Sequence, residues 1–207
     1  MSTATPVTCI FTDIGGVLGT NGWDRNMRKR AADHFKLEYA EMDERHHLTF
    51  DTYEEGKLTL DEYLIRVVFY EPRDFSRDDF KQFMFDQSQP FPDMLRLLAS
   101  LKARYALKVA VVSNEARELT AHRIVKFGLN TFVDFFIVSS YVHFRKPDPD
   151  IFRLAIDVAQ VPVSQVVYLE DRPMFVEVAQ NLGLRGLHHE NYEATKAAFA
   201  GLGLALD

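Results

Sequence analysis

Five short apolar runs constrain this chain more than any other feature: Val7–Phe11, Leu107–Val112, Phe135–Val138, Val166–Leu169 and Arg185–Leu187. They are rich in β-branched residues, and several are nearly continuous rather than alternating. That pattern suits strands covered on both faces. Segments with helical spacing lie between them. Met94, Leu95, Leu97, Leu98 and Leu101 form a stripe after the breaker PFP at 90–92. Leu119, Ile124 and Phe127 follow the second run, with Gly128 as a stop. Ile151, Leu154, Ala155 and Val158 follow Pro149, and Phe175, Val178, Ala179 and Leu182 follow Pro173, with Gly183 as a stop. Strand alternating with helix predicts an α/β fold with a doubly wound, Rossmann-like parallel sheet.

One stretch breaks the rhythm. From Trp23 to Ser88 the chain is charged, aromatic and helical in pattern, with Phe80, Phe83 and Met84 a turn apart. It reads as a helical insertion just after the first strand. The expected division is a core from residues 1–20 and 89–207 and a helical cap from 21–88. Ligands of open α/β sheets bind outside the carboxyl ends of the strands, so an insertion there would act as a lid. The aromatic stripe is expected to form the insertion's own core.

Bulk properties exclude several partners. A net charge of −6 gives no basic footprint for nucleic acid and no attraction to an anionic membrane. No apolar run approaches the roughly 20 residues of a membrane helix. The opening MSTATPVT lacks the basic-then-apolar pattern of a secretory signal, so the cytoplasm is the expected compartment. The single cysteine, Cys9, allows no internal disulfide and is expected to be a buried apolar residue.

Polar groups gather at the strand ends. FTDIGGVLG at 11–19 puts Asp13 at the tip of the first strand, against bare backbone. The second strand ends at Ser113–Asn114, the third is followed by Arg145–Lys146–Pro147, and the fourth ends at Glu170–Asp171. If these strands lie side by side, the groups meet in one crevice. The mixture suits phosphoryl transfer. A carboxylate can attack phosphorus and form an acyl-phosphate. Carboxylate and phosphate repel each other, so a hard cation such as Mg²⁺ must sit between them, held by Asp13 and Asp171. A hydroxyl, amide N–H groups and a lysine can then hold the phosphoryl oxygens.

TDIGGVL, VVSN, RKPDPDIF and YLEDRP, in that order, resemble the four motifs of the haloacid dehalogenase-like hydrolase superfamily over essentially the whole chain. YEEGKLTLDEYL at 53–64 further resembles the branch with glucose-1-phosphate phosphatases and the N-terminal domain of soluble epoxide hydrolases. The resemblance implies Asp13 as nucleophile and metal ligand. Gly15 would lend the metal a backbone carbonyl only. Ser113 and Asn114 would bind the phosphoryl group, and Lys146 would neutralise charge and orient Asp13. Asp171 would be a metal ligand, with Glu170 beside it, unless strand alternation turns Glu170 away. The implied substrate is a small phosphorylated metabolite.

Two positions depart from that pattern. Relatives usually carry an acid–base aspartate two residues after the nucleophile, where this chain has Gly15; such help is worth roughly 10²–10⁴ in rate. A second acid or amide normally follows four residues after the metal-binding Asp, where this chain has Phe175. A substitute for the missing acid could come from Asp24, His46 or His143. A Mg²⁺-dependent phosphatase is the first reading. A degenerate member with a binding role and a metal-free 2-haloacid dehalogenase are the alternatives.

Local readings compete with these roles. Ser113 or Asn114 could cap the next helix, and Asp171 could cap the helix begun by Pro173. Arg145 and Arg172 read as surface or ion-pair residues. His46–His47 and His188–His189 read as exposed. The glycines at 15, 16, 19 and 22 fit no nucleotide-loop spacing.

Overall fold

The computed structural model describes residues 6–206. The segment MSTAT, part of the stretch read for a leader, and Asp207 lie outside them. Five strands form one parallel sheet: β1 (Cys9–Thr12), β2 (Lys108–Ser113), β3 (Phe135–Val138), β4 (Val166–Glu170) and β5 (Arg185–His188), in the order β3-β2-β1-β4-β5. Each expected apolar run is a strand. Ile10 aligns with Val109 and Val167, and Phe11 with Ala110 and Tyr168.

The period-two alternation sends these two rows to opposite faces, and both faces are covered. Ile10, Val109 and Val167 join the cluster that holds Leu98 of α5 (Pro92–Tyr105) and Phe199 of α10 (Tyr192–Gly201). Phe11, Ala110 and Tyr168 pack with Phe152 of α8 (Pro149–Ala159) and Ala179 of α9 (Pro173–Asn181). The helices therefore flank the sheet on both sides, which explains why the strands read as unbroken apolar runs. Cys9 is buried in β1, and burial pushes its thiol up to about 12.

Four helices occupy the stretch after β1: α1 (Arg25–Phe35), α2 (Tyr39–Glu54), α3 (Leu60–Val67) and α4 (Arg77–Asp86). Local chemistry sets their starts. Asp24 caps α1 by accepting the Met27 N–H at 2.9 Å. Capping boxes of Thr59 with Glu62 and Ser76 with Asp79 open α3 and α4. The helices share an aromatic core of Trp23, Tyr63, Phe80 and Met84, with Phe83 packed partly against it. Ala116 and Leu119 join that core, Leu119 from α6 (Arg117–Lys126). The insertion thereby rests beside the carboxyl end of β2. Among the described residues no helix is long and apolar enough to cross a membrane.

Candidate active site

The strand order explains why the polar strand ends meet. β1 lies between β2 and β4, so Asp13, Ser113 and Glu170 leave neighbouring strands at the same edge. The Asp13 N–H donates to the Leu169 carbonyl at 3.0 Å, so the backbone follows the sheet past β1 before turning. The Ile14 carbonyl accepts from Leu18 and Gly19 at 2.9 and 3.1 Å and closes that turn. The backbone N–H of Gly15 and of Asn114 has no acceptor among the described residues. Both stay available to an anion.

Lys146 is 1% exposed and lies among acids. Its Nζ donates to Glu170 Oε2 at 2.6 Å and to the Tyr168 hydroxyl at 3.1 Å. Asp13 Oδ1 is 3.2 Å away without lining up as a hydrogen bond. The Tyr168 hydroxyl donates to the same Glu170 oxygen. Asn114 fixes the backbone of this lysine: its amide nitrogen donates to the Lys146 carbonyl at 2.8 Å, and its amide oxygen accepts the Lys146 N–H at 2.7 Å. The Asn114 side chain thus binds protein rather than capping α6, whose N-cap is Ala116 with no side-chain cap bond. Phe175 covers Lys146 from one side, ring centre 5.2 Å from Nζ.

One oxygen each from Asp13, Glu170 and Asp171 lies within 4.8 Å of the others. Strand alternation would have separated Glu170 from Asp171, but β4 ends at Glu170, and the bend at Asp171 turns both inward. Asp171 does not cap α9, whose N-cap is Arg172. Gly16 makes room for the Asp171 carboxylate: a Cβ there would meet Oδ2 at 2.2 Å, and its φ of +75° favours glycine in any case.

Charge at this edge is unbalanced. Burial pushes the Asp13 carboxyl up, Glu170 pushes it the same way, and Lys146 opposes both. Burial alone would neutralise Lys146, but Asp13 and Glu170 outweigh it and hold its pKa above the usual lysine value. Three carboxylates therefore face one buried ammonium. Asp13 Oδ1, Ser113 Oγ and Asp171 Oδ1 are buried without a hydrogen-bond partner among the described residues. Buried polar atoms are rarely left so. A cluster of hard oxygens with net negative charge and spare lone pairs fits a magnesium ion.

A cavity of about 310 Å³ opens over Asp13, Gly15 and Ser113, with Trp23, Phe50 and Glu54 on the insertion side. A larger groove of about 800 Å³, beside Phe35 and Phe83 of the insertion, includes none of the strand-end groups.

Several side chains differ from the sequence reading. His46 and His189 are buried, while His47 and His188 are exposed. Neighbours on a helix point about 100° apart, so α2 turns His46 inward to Tyr63 and leaves His47 in water. Arg145, by contrast, is the ion-pair residue that the sequence reading expected, bonded to Asp51 and 2.6 Å from Glu54 Oε2. Glu54 and Glu115 escaped the sequence reading altogether. Their signal was position: Glu54 is the second residue of the YEEG stretch, and Glu115 follows Ser113–Asn114 directly.

A family model described as haloacid dehalogenase-like hydrolase matches residues 7–183. A curated relative, Flavin mononucleotide hydrolase 1 of Arabidopsis thaliana, is 23% identical over 169 residues, 77% of this chain and 64% of that protein. The chain spans less than two thirds of the length of the curated relatives it matches. A haloacid dehalogenase family enzyme of Bacteroides thetaiotaomicron, solved with magnesium and inorganic phosphate, superposes with a TM-score of 0.75 at 20% identity, covering 89% of this chain and 94% of that one. L-2-haloacid dehalogenase of Xanthobacter autotrophicus superposes with a TM-score of 0.63 at 16% identity, covering 97% of this chain and 85% of that one.

Proposed function

The chain belongs to the haloacid dehalogenase-like hydrolase family, and from that premise we propose that it is a magnesium-dependent phosphatase of small phosphorylated metabolites, with Asp13 as nucleophile. The cluster of Asp13, Glu170 and Asp171 around one buried lysine carries this reading. Asp13 and Asp171 would hold the ion with the Gly15 carbonyl, and Glu170 borders the same site. When bound, the ion screens the attacking carboxylate from the phosphate and neutralises charge on the phosphoryl oxygens.

The chain's own groups do the rest. The Ser113 hydroxyl and the backbone N–H groups of Asn114 and Gly15 donate to those oxygens. Lys146, fixed by the Asn114 amide, favours the ionised form of Asp13 against burial and Glu170 and helps to aim it. The Asp13 carboxylate attacks phosphorus, the ester oxygen leaves, and water then releases phosphate from the aspartyl-phosphate. Residues 21–88 act as the cap over this site, and residues 1–20 and 89–207 as the core. The FMN hydrolase relative and the magnesium–phosphate neighbour support the phosphate chemistry by their names. The cytoplasm is the compartment we propose.

A metal-free 2-haloacid dehalogenase would have to keep three adjacent carboxylates beside one lysine, and its own anionic substrate would add to that negative charge rather than balance it. A panel of metabolite phosphates and 2-haloacids, run with Mg²⁺ or with chelator, tests the assignment. Phosphate release that needs Mg²⁺ is expected. Chelator-insensitive halide release would overturn it in favour of the dehalogenase, and no turnover of any ester in favour of a degenerate binding protein. Gly16→Ala is expected to push Asp171 aside. Strain of about 1–2 kcal/mol should accompany Mg²⁺ affinity weakened by about tenfold or more, read from activity against metal concentration.

A further inference from the structure

A phosphatase with Gly15 after its nucleophile needs a proton donor from elsewhere. The three groups that the sequence offered do not serve. Asp24 spends its carboxylate capping α1. His46 is bonded to the Tyr63 hydroxyl at 2.7 Å, and burial pushes its imidazole down to about 3, so at neutral pH it is uncharged and its remaining N–H is far too weak an acid for the role. His143 is exposed, does not line the cavity, and uses Nδ1 on the Glu55 carbonyl.

Glu54 lines the cavity with Asp13, Gly15 and Ser113, as Asp24 and His46 also do, and differs from those two in having a buried carboxylate oxygen that no hydrogen bond engages. Its side chain is 12% exposed, and Oε2 is buried without a hydrogen bond, 2.6 Å from Arg145 but off-line for one. We propose that Glu54 is the general acid and base of this site, the group that replaces a side chain at Gly15.

The YEEG stretch explains how an insertion residue is held so firmly against the core. Tyr53 stacks on Tyr63, ring centres 4.3 Å apart. The Glu54 carbonyl accepts the Ser139 hydroxyl at 2.7 Å. Gly56, with φ +71°, lies so close to Ser140 that a Cβ would meet its carbonyl oxygen at 2.2 Å. Arg145, one residue before Lys146, is tied to both Asp51 and Glu54 of α2. The end of α2 is thus docked on the core, and Glu54 with it.

Protonation fits the role. Burial pushes the Glu54 carboxyl up to about 7, against Arg145, Arg172 and Lys146, which pull it down. An acid poised near the working pH can both give and take a proton. In the first half, Asp13 attacks phosphorus, the bond from phosphorus to the ester oxygen breaks with its electron pair on oxygen, and Glu54 delivers its proton there. In the second half, the Glu54 carboxylate takes a proton from water. The water oxygen bonds to phosphorus, the bond to Asp13 breaks, and phosphate leaves with Asp13 and Glu54 restored.

This inference rests on the phosphatase reading, and leaving-group dependence separates the two. p-Nitrophenyl phosphate expels a weak base that needs no proton; glycerol phosphate expels an alkoxide that does. Glu54→Gln, with folding checked by circular dichroism, is expected to lower kcat/KM for glycerol phosphate about 100-fold or more. For p-nitrophenyl phosphate kcat/KM should change little, with a nitrophenol burst followed by slow turnover. The wild type should lose glycerol phosphate activity above about pH 7 while the Gln variant lacks that limb, and Glu54→Asp should recover part of the rate. Equal losses on both esters with an unchanged pH profile would make Glu54 structural and sink the inference alone. If Glu54→Gln fails to fold, a wild-type profile with the same pH limb on both esters sinks it as well. A wild type that hydrolyses neither ester with Mg²⁺ would sink the phosphatase reading too.

Discussion

Asp13→Asn is expected to abolish phosphate ester hydrolysis, by on the order of 10⁴-fold or more, while the protein stays folded and melts no lower than the wild type. The amide is nearly isosteric with the carboxylate but is a poor nucleophile. Most buried acids that face a lysine stabilise the fold, so their removal usually confuses lost activity with lost structure. Asp13 is different. Burial, with Glu170 second, holds its folded pKa above the ordinary aspartate value, and Lys146 only partly opposes this. A carboxyl raised on folding costs stability once pH exceeds its unfolded value, so ionised Asp13 destabilises the metal-free fold at neutral pH. Asparagine removes that cost. Lys146 keeps its 2.6 Å bond to Glu170 and is not stranded. Thermal melts in chelator should therefore show an unchanged or higher Tm. Unchanged turnover in a folded variant would rule out the covalent route through Asp13, and a large fall in Tm would show that the charge balance at this edge is misjudged.

The parts of this site that were legible in the sequence are those that the backbone alone positions. Strands buried on both faces must be apolar throughout, so their ends show as abrupt polar residues. Asp13, Ser113 and Asp171 follow from that rule, while Lys146, eight residues past the end of β3, stood out only through the resemblance of RKPDPDIF to the third motif. What was not legible depends on which way a side chain turns. The two histidines at 46 and 47 look alike in the sequence, yet α2 buries one and exposes the other. Phe175 looked like a lost acid, and the fold uses it as an aromatic cover over Lys146. Asn114 looked like a ligand for phosphate, and its side chain is engaged with the Lys146 backbone. Glu54 is 41 residues beyond Asp13 in the chain, and only the docking of α2 on Ser139 and Arg145 brings it to the same cavity.

Arg123 was equally hidden, and Arg123→Leu is expected to be the most destabilising single change near the site. Its guanidinium is fully buried in α6 and serves three partners. It pairs with Glu115, donates to the Ser88 hydroxyl at 3.1 Å and donates to the Thr20 carbonyl at 2.7 Å. Thr20 and Ser88 lie on the two segments by which the chain enters and leaves the insertion. The two segments also meet directly, the Thr20 hydroxyl donating to the Gln87 carbonyl at 2.6 Å. One cation therefore ties both crossings to the residue beside Ser113–Asn114. Removing it strands a buried carboxylate, which costs about 3–5 kcal/mol, or roughly 10 °C in Tm for a chain of this size. The pH dependence has a definite sign. Burial pushes Glu115 up and Arg123 opposes it. Without Arg123 the folded pKa rises further, so the penalty is absent below the unfolded value and grows as pH increases toward the folded one. Melts of Arg123→Leu should approach the wild type in mild acid and fall away at neutral pH. The double variant Arg123→Leu, Glu115→Leu removes both charges and should recover most of the loss, because a buried ion pair gains little over apolar packing of similar volume. A double variant as unstable as the single one at every pH would place the role of Arg123 in its bonds to Thr20 and Ser88, and the charge pairing would then be incidental to how the insertion is held over Asp13.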